Sequence, residues 1–429
     1  MNINFRAGRF VAAAALLPAC STGPATSLDD QDAISSENAI VDVAHTDVEN
    51  EAIGNCWIYA TATWAESMHL SATNEAFDTS QSYWTYWDWF DKISAGTSVT
   101  SKTDAQGKVV GADLQTGGGF QLAFNLVRKY GLIAEANFVP ADTTSQTSAA
   151  QDVALKAINA SLFNGPLATS AARTDRKLLR DELNKAFGLS PTLVATMNTV
   201  FGESAERNFS AGSTASATGT PIVNAKNFET LSPRISRSGS AYSWRTSLSS
   251  AMNGWQEASY PSDPTARRML QIRVQKALHA RAPVGITWGV DFNGFDRRAG
   301  SPTYGAFTLP TLQAAGKAGR QGGHLTVLED YEAILASGET LEAGVTLNKS
   351  TSKDRAKLAS ALLPETQIKF LRIKNSWGDD YFPTEGKAGY HDIYVDYLNG
   401  PIQWCSATDP TSCPWQITPL WAFLLPPGY

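Results

Sequence analysis

The sequence predicts an α+β fold, with helices in the first part of the chain and strands in the last. Apolar residues from Leu122 to Tyr130 recur at helical spacing, and the same pattern returns twice before residue 280. From Val284 to Val290 the spacing changes to strict alternation, which is typical of a strand. Hydrophobic residues make up 43% of the 429 residues, so the chain can bury a large core. Helices followed by strands indicate α+β rather than alternating α/β architecture.

The first residues have the pattern of an export signal. Arg6 and Arg9 precede an apolar run over residues 10–17, and small residues follow it. A charged start, a short apolar core and a small residue before the cut are typical of a signal peptide, which we assign to residues 1–19. The apolar run is too short to cross a bilayer as a helix.

Leu17-Pro18-Ala19-Cys20 resembles the lipobox of bacterial lipoproteins, although Pro18 departs from its usual pattern. In that motif the cysteine becomes the lipidated first residue of the mature protein. The alternative is an ordinary cleaved signal with an incidental cysteine. Residues 20–45 are rich in Ser, Thr, Asp and Asn and are predicted to be a flexible tether. We therefore expect an exported lipoprotein, periplasmic or at the cell surface.

The remaining elements follow from apolar periodicity and from glycines. Helical spacing predicts four helices, at residues 55–70, 122–130, 179–187 and 270–278. Gly131 and Gly188 follow two of them, as expected of residues that close helices. Alternation predicts three strands, at residues 284–290, 324–328 and 368–373.

The composition shows no clean break after the tether, which predicts one domain over residues 46–429. Within it, residues 146–280 are predicted to form a large, mainly helical insertion. Residues 281–400 are predicted to form a β subdomain. The last residues, Phe423 to Tyr429, could extend into a cleft or pack against the strands.

A cysteine opens the first predicted helix, directly after a glycine turn. Cys56 follows Gly54-Asn55 and precedes Trp57. The thiolate is the nucleophilic form of cysteine, and the start of a helix stabilises negative charge. On its own, Cys56 would more often be a buried small apolar residue.

Two later segments supply partners for such a nucleophile. His324 enters an apolar strand after Gly322 and Gly323, and a histidine there can take the thiol proton. Asn375 ends another apolar run and precedes Trp377, so its amide oxygen could orient the imidazole while the indole excludes water. A structural histidine and an ordinary turn are the alternatives when each segment is taken alone.

Taken together, the order Cys56, His324, Asn375 resembles papain-like cysteine peptidases. The 268 positions between Cys56 and His324 exceed the papain spacing of about 130–150. Ile53 also stands where papain-like enzymes commonly have a second cysteine. Both departures are similar to the bleomycin hydrolase, or aminopeptidase C, branch. The resemblance runs from about residue 50 to residue 390.

This resemblance implies a nucleophilic Cys56, a His324 that acts as base and acid, and an Asn375 that orients it. The family's side-chain oxyanion donor is a Gln six residues before the cysteine, where this chain has Asn50. The resemblance also implies a papain-like fold of two subdomains, with the nucleophile on a helix and the histidine and asparagine on a barrel-like sheet. It further implies that Gly118, Gly119 and Trp377 line the substrate cleft.

The net charge, the missing motifs and the cysteines limit which partners and cofactors the chain is expected to have. A net charge of −6 without a basic cluster argues against nucleic acid. No zinc-type spacing, phosphate loop or dinucleotide motif occurs in the sequence, so we expect no metal and no cofactor. Cys405 and Cys413 are expected to form a disulfide in an oxidising compartment. The aminopeptidase branch is mostly cytosolic and hexameric, so oligomers are expected from the resemblance alone.

The sequence therefore predicts a cysteine peptidase that hydrolyses peptide or protein substrates through a thioester, with aminopeptidase action implied by the branch. One alternative is a cysteine acyltransferase of transglutaminase type, which uses an amine as acceptor. The other is an inactive papain-like protein that binds peptides, which Asn50 in place of Gln favours.

Overall fold

The computed structural model describes residues 43, 46–145, 148–210, 215–236, 239–345, 347–348, 350–378, 389–406 and 412–429. The predicted signal peptide, Cys20 and all of the predicted tether except Val43 lie outside these ranges. Val43 is buried, with 1% of its surface exposed. Within the described ranges, none of the helices combines the length and the apolar character that crossing a membrane requires.

Helices dominate the chain up to residue 280, as predicted. The helices along the whole described chain are, in order, α1 Cys56–Thr73, α2 Gln81–Ala95, α3 Phe120–Tyr130, α4 Asp142–Ser145, α5 Ala149–Asn164, α6 Ser170–Thr174, α7 Arg176–Ala186, α8 Pro191–Phe201, α9 Leu248–Gly254, α10 Pro264–His279, α11 Leu309–Ala315, α12 Ser352–Ala361 and α13 Val395–Asn399. Short 3-10 turns occur at Glu135–Asn137 and Phe292–Gly294.

Strands dominate the chain after residue 280. The strands along the whole described chain are, in order, β1 Val99–Thr103, β2 Val109–Leu114, β3 Glu229–Ile235, β4 Ala241–Ser247, β5 Gln256–Ser259, β6 Gly285–Asp291, β7 Gln321–Ile334, β8 Thr340–Leu341, β9 Gln367–Lys374, β10 Tyr390–Tyr394, β11 Ile402–Trp404, β12 Trp415–Ile417 and β13 Leu420–Leu425. This distribution confirms the predicted α+β class.

The largest sheet is antiparallel and open, with the strand order β10-β9-β7-β6-β13-β5 and with β8 paired to β7. Its edges are β10 and β5, so among the described residues it does not close into a barrel. The predicted strands at residues 284–290, 324–328 and 368–373 are confirmed as parts of β6, β7 and β9. β7 is longer than predicted because its second half continues alongside β9 and β8.

The helix that carries Cys56 is buried on nearly every side. Trp57, Trp64 and Met68 of α1 are each at most 1% exposed. The helix packs between β3, β7 and α3. A helix that is apolar all round is expected in a protein interior. The burial of α1 holds the start of the helix rigidly against the central sheet.

Capping residues explain several helix ends. Ser80 begins α2 by accepting a hydrogen bond from Tyr83 N, and Asp263 begins α10 in the same way with Ala266 N. Gly131 ends α3 at a φ of 70°, where a side chain would overlap the carbonyl oxygen of Val223. The predicted stop at this glycine is confirmed.

The region predicted as an insertion, residues 146–280, begins with helices but is not wholly helical. Helices α5 to α8 occupy its first half, and the second half contains the β3–β4 hairpin and β5 as well as α9 and α10. The segment between β7 and β9 also contains structure, namely β8 and α12. The first excursion therefore lies between α1 and β6 along the chain, and the second lies between β7 and β9.

The last strand lies inside the sheet and not in a cleft. β13 pairs with β6 on one side and with β5 on the other. Phe423 and Leu424 are each 1% exposed, and the backbone oxygen of Tyr429 accepts a hydrogen bond from Arg273. The alternative in which the tail packs against the strands is the one observed.

We expect Phe423→Ala to lower the free energy of unfolding by about 3–5 kcal/mol, because it removes a buried ring from the centre of the sheet. Phe163→Ala is the matched control, since Phe163 is 40% exposed and its loss should cost less than about 1 kcal/mol. Chemical denaturation of both variants measures the difference. Equal losses would contradict the placement of the tail in the core.

Candidate active site

The thiol of Cys56 lies at the first residue of α1, where the helix has no side-chain cap. Asn55 precedes it, but the Asn55 amide donates to Thr85 Oγ1 at 2.9 Å and to Gln151 Oε1 at 2.8 Å instead. The groups that interact with the Cys56 sulfur are instead the backbone N–H groups of Cys56, Trp57 and Leu325. Each of them lowers the pKa of the thiol. This arrangement places several donors around one sulfur atom.

His324 and Asn375 come together because their strands are neighbours. β7, which carries His324, pairs with β9, and Asn375 follows the last residue of β9. His324 Nε2 lies 2.8 Å from Asn375 Oδ1. An amide oxygen only accepts, so Nε2 carries the proton and Nδ1 is left as the basic nitrogen of the neutral ring.

Aromatic rings enclose the imidazole. The Trp377 ring stacks on His324 with a centroid distance of 4.8 Å and an interplanar angle of 19°. Trp288, directly opposite His324 on β6, presents an edge at 5.8 Å. These rings keep water from the His324–Asn375 hydrogen bond, which strengthens it.

Leu325 connects the two halves of the site. Its backbone N–H faces the Cys56 thiol, and it directly follows His324 on β7. The structure therefore brings Cys56, His324 and Asn375 together from α1, β7 and the end of β9. Cys56 is 8% exposed, His324 5% and Asn375 3%.

Burial sets the protonation of the pair. Burial raises the pKa of the Cys56 thiol well above its usual range, and the negative charge of Glu51 raises it further. Burial lowers the pKa of His324 to about 4, although the hydrogen bond to Asn375 counters this shift. Both changes favour the neutral thiol and the neutral imidazole over an ion pair.

Asn50, the predicted oxyanion donor, is half-buried and lies opposite Trp377 in an isolated antiparallel bridge. Its backbone oxygen accepts a hydrogen bond from Ser148 N at 3.2 Å. The next residue, Glu51, contacts the segment after β9 and acts electrostatically on the Cys56 thiol. Its backbone N–H donates to Ser376 O at 2.7 Å, and its Oε1 accepts from Trp377 Nε1 at 3.2 Å.

Glu51 was not among the predicted site residues, because one carboxylate in a loop forms no pattern with its neighbours. The signal that could have identified it is its position between Asn50 and the glycine turn that leads to Cys56. Its importance follows from the pairing of this loop with residues 376–378, which only the folded chain reveals.

Gly118 and Gly119 lie directly before α3, and Gly119 is its N-cap residue. A side chain at Gly118 would come within 2.5 Å of the Trp57 ring. Trp57 Nε1 also donates to Thr116 O at 2.9 Å. The segment with Gly118 and Gly119 therefore lies against Trp57, the residue next to Cys56.

A tryptophan wall lies beside His324 on the other face of the sheet. Trp421 rests on Gly323 and Gly289, where added side chains would meet its ring at 3.1–3.2 Å. Trp404, at a centroid distance of 6.1 Å from Trp421, extends this wall. A disulfide joins Cys405, which follows β11, to Cys413, which precedes β12, in the hairpin that carries Trp404.

Within the described ranges, one group of carboxylates has the spacing of a cation site. Oxygen atoms of Glu49, Asp78 and Glu135 lie within 4.8 Å of one another. Burial raises the pKa of Glu49 to about 8, with a further increase from the negative charge of Asp78. Burial and the same carboxylate raise the pKa of Glu135 to about 9. Burial and mutual repulsion therefore favour the neutral, protonated forms of Glu49 and Glu135.

Residues 18–164 match the model of the Peptidase C1-like family. The matched stretch includes Cys56, Gly118 and Gly119, whereas His324 and Asn375 lie beyond it. The match confirms the predicted resemblance to papain-like cysteine peptidases. No curated protein matches the chain.

Two solved structures are similar to this chain at low identity. PepW from Lactobacillus rhamnosis HN001 is 13% identical, with 90% of this chain and 81% of that chain covered and a TM-score of 0.42. The clostridial cysteine protease Cwp84, after propeptide cleavage, is 10% identical, with 91% of this chain and 57% of that chain covered and a TM-score of 0.30.

The enclosure of His324 makes a prediction about its titration. The imidazole should titrate near pH 4, because burial opposes its charged form. Trp377→Ala should admit water and raise this midpoint towards the ordinary value of about 6.5. Trp415→Ala, which removes an exposed indole, is the control. NMR titration of the imidazole signals measures all three, and a wild-type midpoint near 6.5 would contradict the enclosure.

Proposed function

We propose that this protein is a cysteine peptidase in which Cys56, His324 and Asn375 form the catalytic triad. The observation that carries the proposal is the 2.8 Å contact between His324 Nε2 and Asn375 Oδ1 beside a thiol at a helix start. The match of residues 18–164 to the Peptidase C1-like family supports it. No other nucleophile is needed for the chemistry.

In the acylation step, His324 Nδ1 takes the proton from the Cys56 thiol while the sulfur attacks the peptide carbonyl carbon. The carbonyl oxygen becomes an oxyanion, and the Cys56 backbone N–H is one donor to it. When the tetrahedral intermediate collapses, the C–N bond breaks. His324 returns its proton to the leaving amine, and a thioester remains on Cys56.

In the deacylation step, His324 Nδ1 takes a proton from water, and the resulting hydroxide attacks the thioester carbonyl carbon. The C–S bond breaks, the acid product leaves, and the proton returns to the thiol. Asn375 holds the ring in one orientation through both steps, so Nδ1 remains the basic nitrogen each time.

The electrostatics favour proton transfer in step with the attack. The thiol pKa is raised and the His324 pKa is lowered, so a thiolate does not form in advance. As the sulfur bonds to carbon, negative charge moves to the substrate oxygen, and the imidazole can accept the proton. His324 is therefore a general base and not one half of a resting ion pair.

The substrate is an extended peptide whose backbone lies along Gly118 and Gly119. The absence of side chains there allows close approach, and an extended strand can pair with the exposed edge. The tail segment forms β13 and is paired on both sides within the sheet, so it is not available to block one end of the cleft. We therefore expect internal cleavage of N-blocked peptides rather than the aminopeptidase action implied by the branch.

An acyltransferase and an inactive peptide-binding protein are the rival functions. Both would use the same cleft, and an acyltransferase would replace water with an amine in the second step. The Asn375 contact supports a complete triad, which argues against an inactive protein. Release of free acid product with no added amine separates hydrolysis from transfer.

The compartment is a separate proposal. We propose that the chain is exported and anchored through lipid on Cys20. The Cys405–Cys413 disulfide supports an oxidising compartment, where such bonds persist.

Cys56→Ala should lower kcat for peptide hydrolysis by at least about 10⁴-fold, because it removes the attacking atom. His324→Ala should be nearly as severe, and Asn375→Ala should lose less, since this side chain only orients the ring. Steady-state kinetics with a fluorogenic peptide measures each loss. Hydrolysis by Cys56→Ala at the wild-type rate would disprove the assignment of the nucleophile.

Cys20→Ser should move the protein from the membrane fraction to the soluble fraction, because the acyl chains supply the anchor. Fractionation followed by immunoblotting measures the shift. Cys56→Ala, expressed in the same way, is the control and should stay with membranes. Wild-type protein found only in the soluble fraction would show that the signal is an ordinary one.

A further inference from the structure

One oxygen of the Glu51 carboxyl group accepts a hydrogen bond, and the other has no hydrogen-bond partner among the described residues. Oε1 accepts from the Trp377 indole N–H at 3.2 Å. Oε2 is buried and has no hydrogen-bond partner among the described residues. Buried polar atoms are nearly always paired, so an unpaired one beside a catalytic thiol calls for an explanation.

The two oxygens also differ in where a proton can reside. Oε1 is already an acceptor, so a proton on the neutral carboxyl group is held by Oε2. The neutral form of Glu51 therefore presents a buried O–H donor that makes no hydrogen bond of normal geometry among the described residues. The Ser376 hydroxyl faces the carboxyl group, and its oxygen likewise has no such partner there. A substrate atom that gains negative charge can supply the missing acceptor.

The position of Glu51 relative to the nucleophile is set by backbone contacts. Its backbone N–H donates to Ser376 O, and the preceding residue, Asn50, forms the bridge with Trp377. Trp377 in turn stacks on His324. The carboxyl group is thus fixed to the same indole that covers the catalytic imidazole, and its charge acts on the Cys56 thiol.

The surroundings of Glu51 favour its neutral form. Cys56 and Tyr59 of α1 are the titratable groups on which its charge acts, and both are neutral groups whose pKa is raised. From the segment after β9, Trp377 and Ser376 face it as uncharged donors. Burial raises the pKa of Glu51 to about 7, against the opposing effect of these two donors.

We propose that the neutral carboxyl group of Glu51 is the side-chain donor to the oxyanion formed at Cys56, so that the peptidase requires Glu51 in its protonated form. This inference rests on the proposed peptidase function and assigns the donor role to Glu51 instead of Asn50. The backbone N–H of Cys56 supplies the other donor.

Ionisation of Glu51 has two effects in the same direction. It removes the O–H donor, and loss of one such donor costs about 10²- to 10³-fold in kcat. It also places a negative charge beside the thiol and the developing oxyanion, which raises the thiol pKa further. Activity should therefore be full well below pH 7 and fall as the pH rises through the pKa of Glu51.

The matching variant is Glu51→Gln, because a glutamine keeps the acceptor for Trp377 and carries a permanent N–H donor in place of the O–H. Wild type should lose kcat by roughly tenfold per pH unit above about pH 7. Glu51→Gln should hold its kcat from pH 6 to pH 9. Glu51→Ala should lose about 10²- to 10³-fold in kcat at pH 6, with a small change in KM.

Glu75→Gln, which changes an exposed carboxylate, is the control and should keep the wild-type pH profile. An alkaline loss in Glu51→Gln equal to that of wild type would overturn the inference. A large loss in Asn50→Ala, together with an unchanged Glu51→Ala, would also overturn it and assign the role to Asn50. Neither result would affect the triad, which is tested separately by Cys56→Ala.

A second measurement needs no variant. A peptide aldehyde adds to the thiol and forms a tetrahedral adduct with an oxyanion-like oxygen, so its affinity reports the donor directly. The inhibition constant of wild type should rise by about tenfold per pH unit above about pH 7. A constant value from pH 6 to pH 9 would overturn the inference even if the variants fail to fold.

Discussion

The hydrogen bond between His324 Nε2 and Asn375 Oδ1 is the contact on which the candidate site depends. It requires β7 and β9 to be neighbours in register, and it fixes which imidazole nitrogen is basic. The Trp377 ring protects it, and the loop that contains Glu51 is held against that ring. A change in the pairing of two strands would therefore separate every group in the site.

Burial gives the site its chemical character. Because thiol and imidazole are both enclosed, each resists its charged form, and the resting state is neutral. The same enclosure keeps a proton on Glu51 near neutral pH. Burial thus disfavours the charged forms of all three groups. In the proposed mechanism, the negative charge forms on a substrate oxygen instead. The arrangement favours the transition state over the resting enzyme.

The sequence could predict the three candidate triad residues because each lies at the boundary of a strongly patterned element. Cys56 opens an apolar helix after a glycine, and His324 and Asn375 flank apolar strands. The tail was harder, because the run from Leu420 to Leu425 does not alternate and suits a cleft or a sheet equally well. The fold decides between them, because the tail forms β13 between β6 and β5. Glu51 depends on a contact across more than 300 residues, which no local pattern encodes.

The central claim is that Cys56 is a nucleophile activated by His324. Treatment of the native protein with a peptidyl epoxide, followed by peptide mapping with mass spectrometry, tests it most directly. The account predicts one adduct per chain, located on Cys56, and a strongly reduced rate of labelling in His324→Ala. An unmodified Cys56 in the native protein, with labelling only after denaturation, would contradict it.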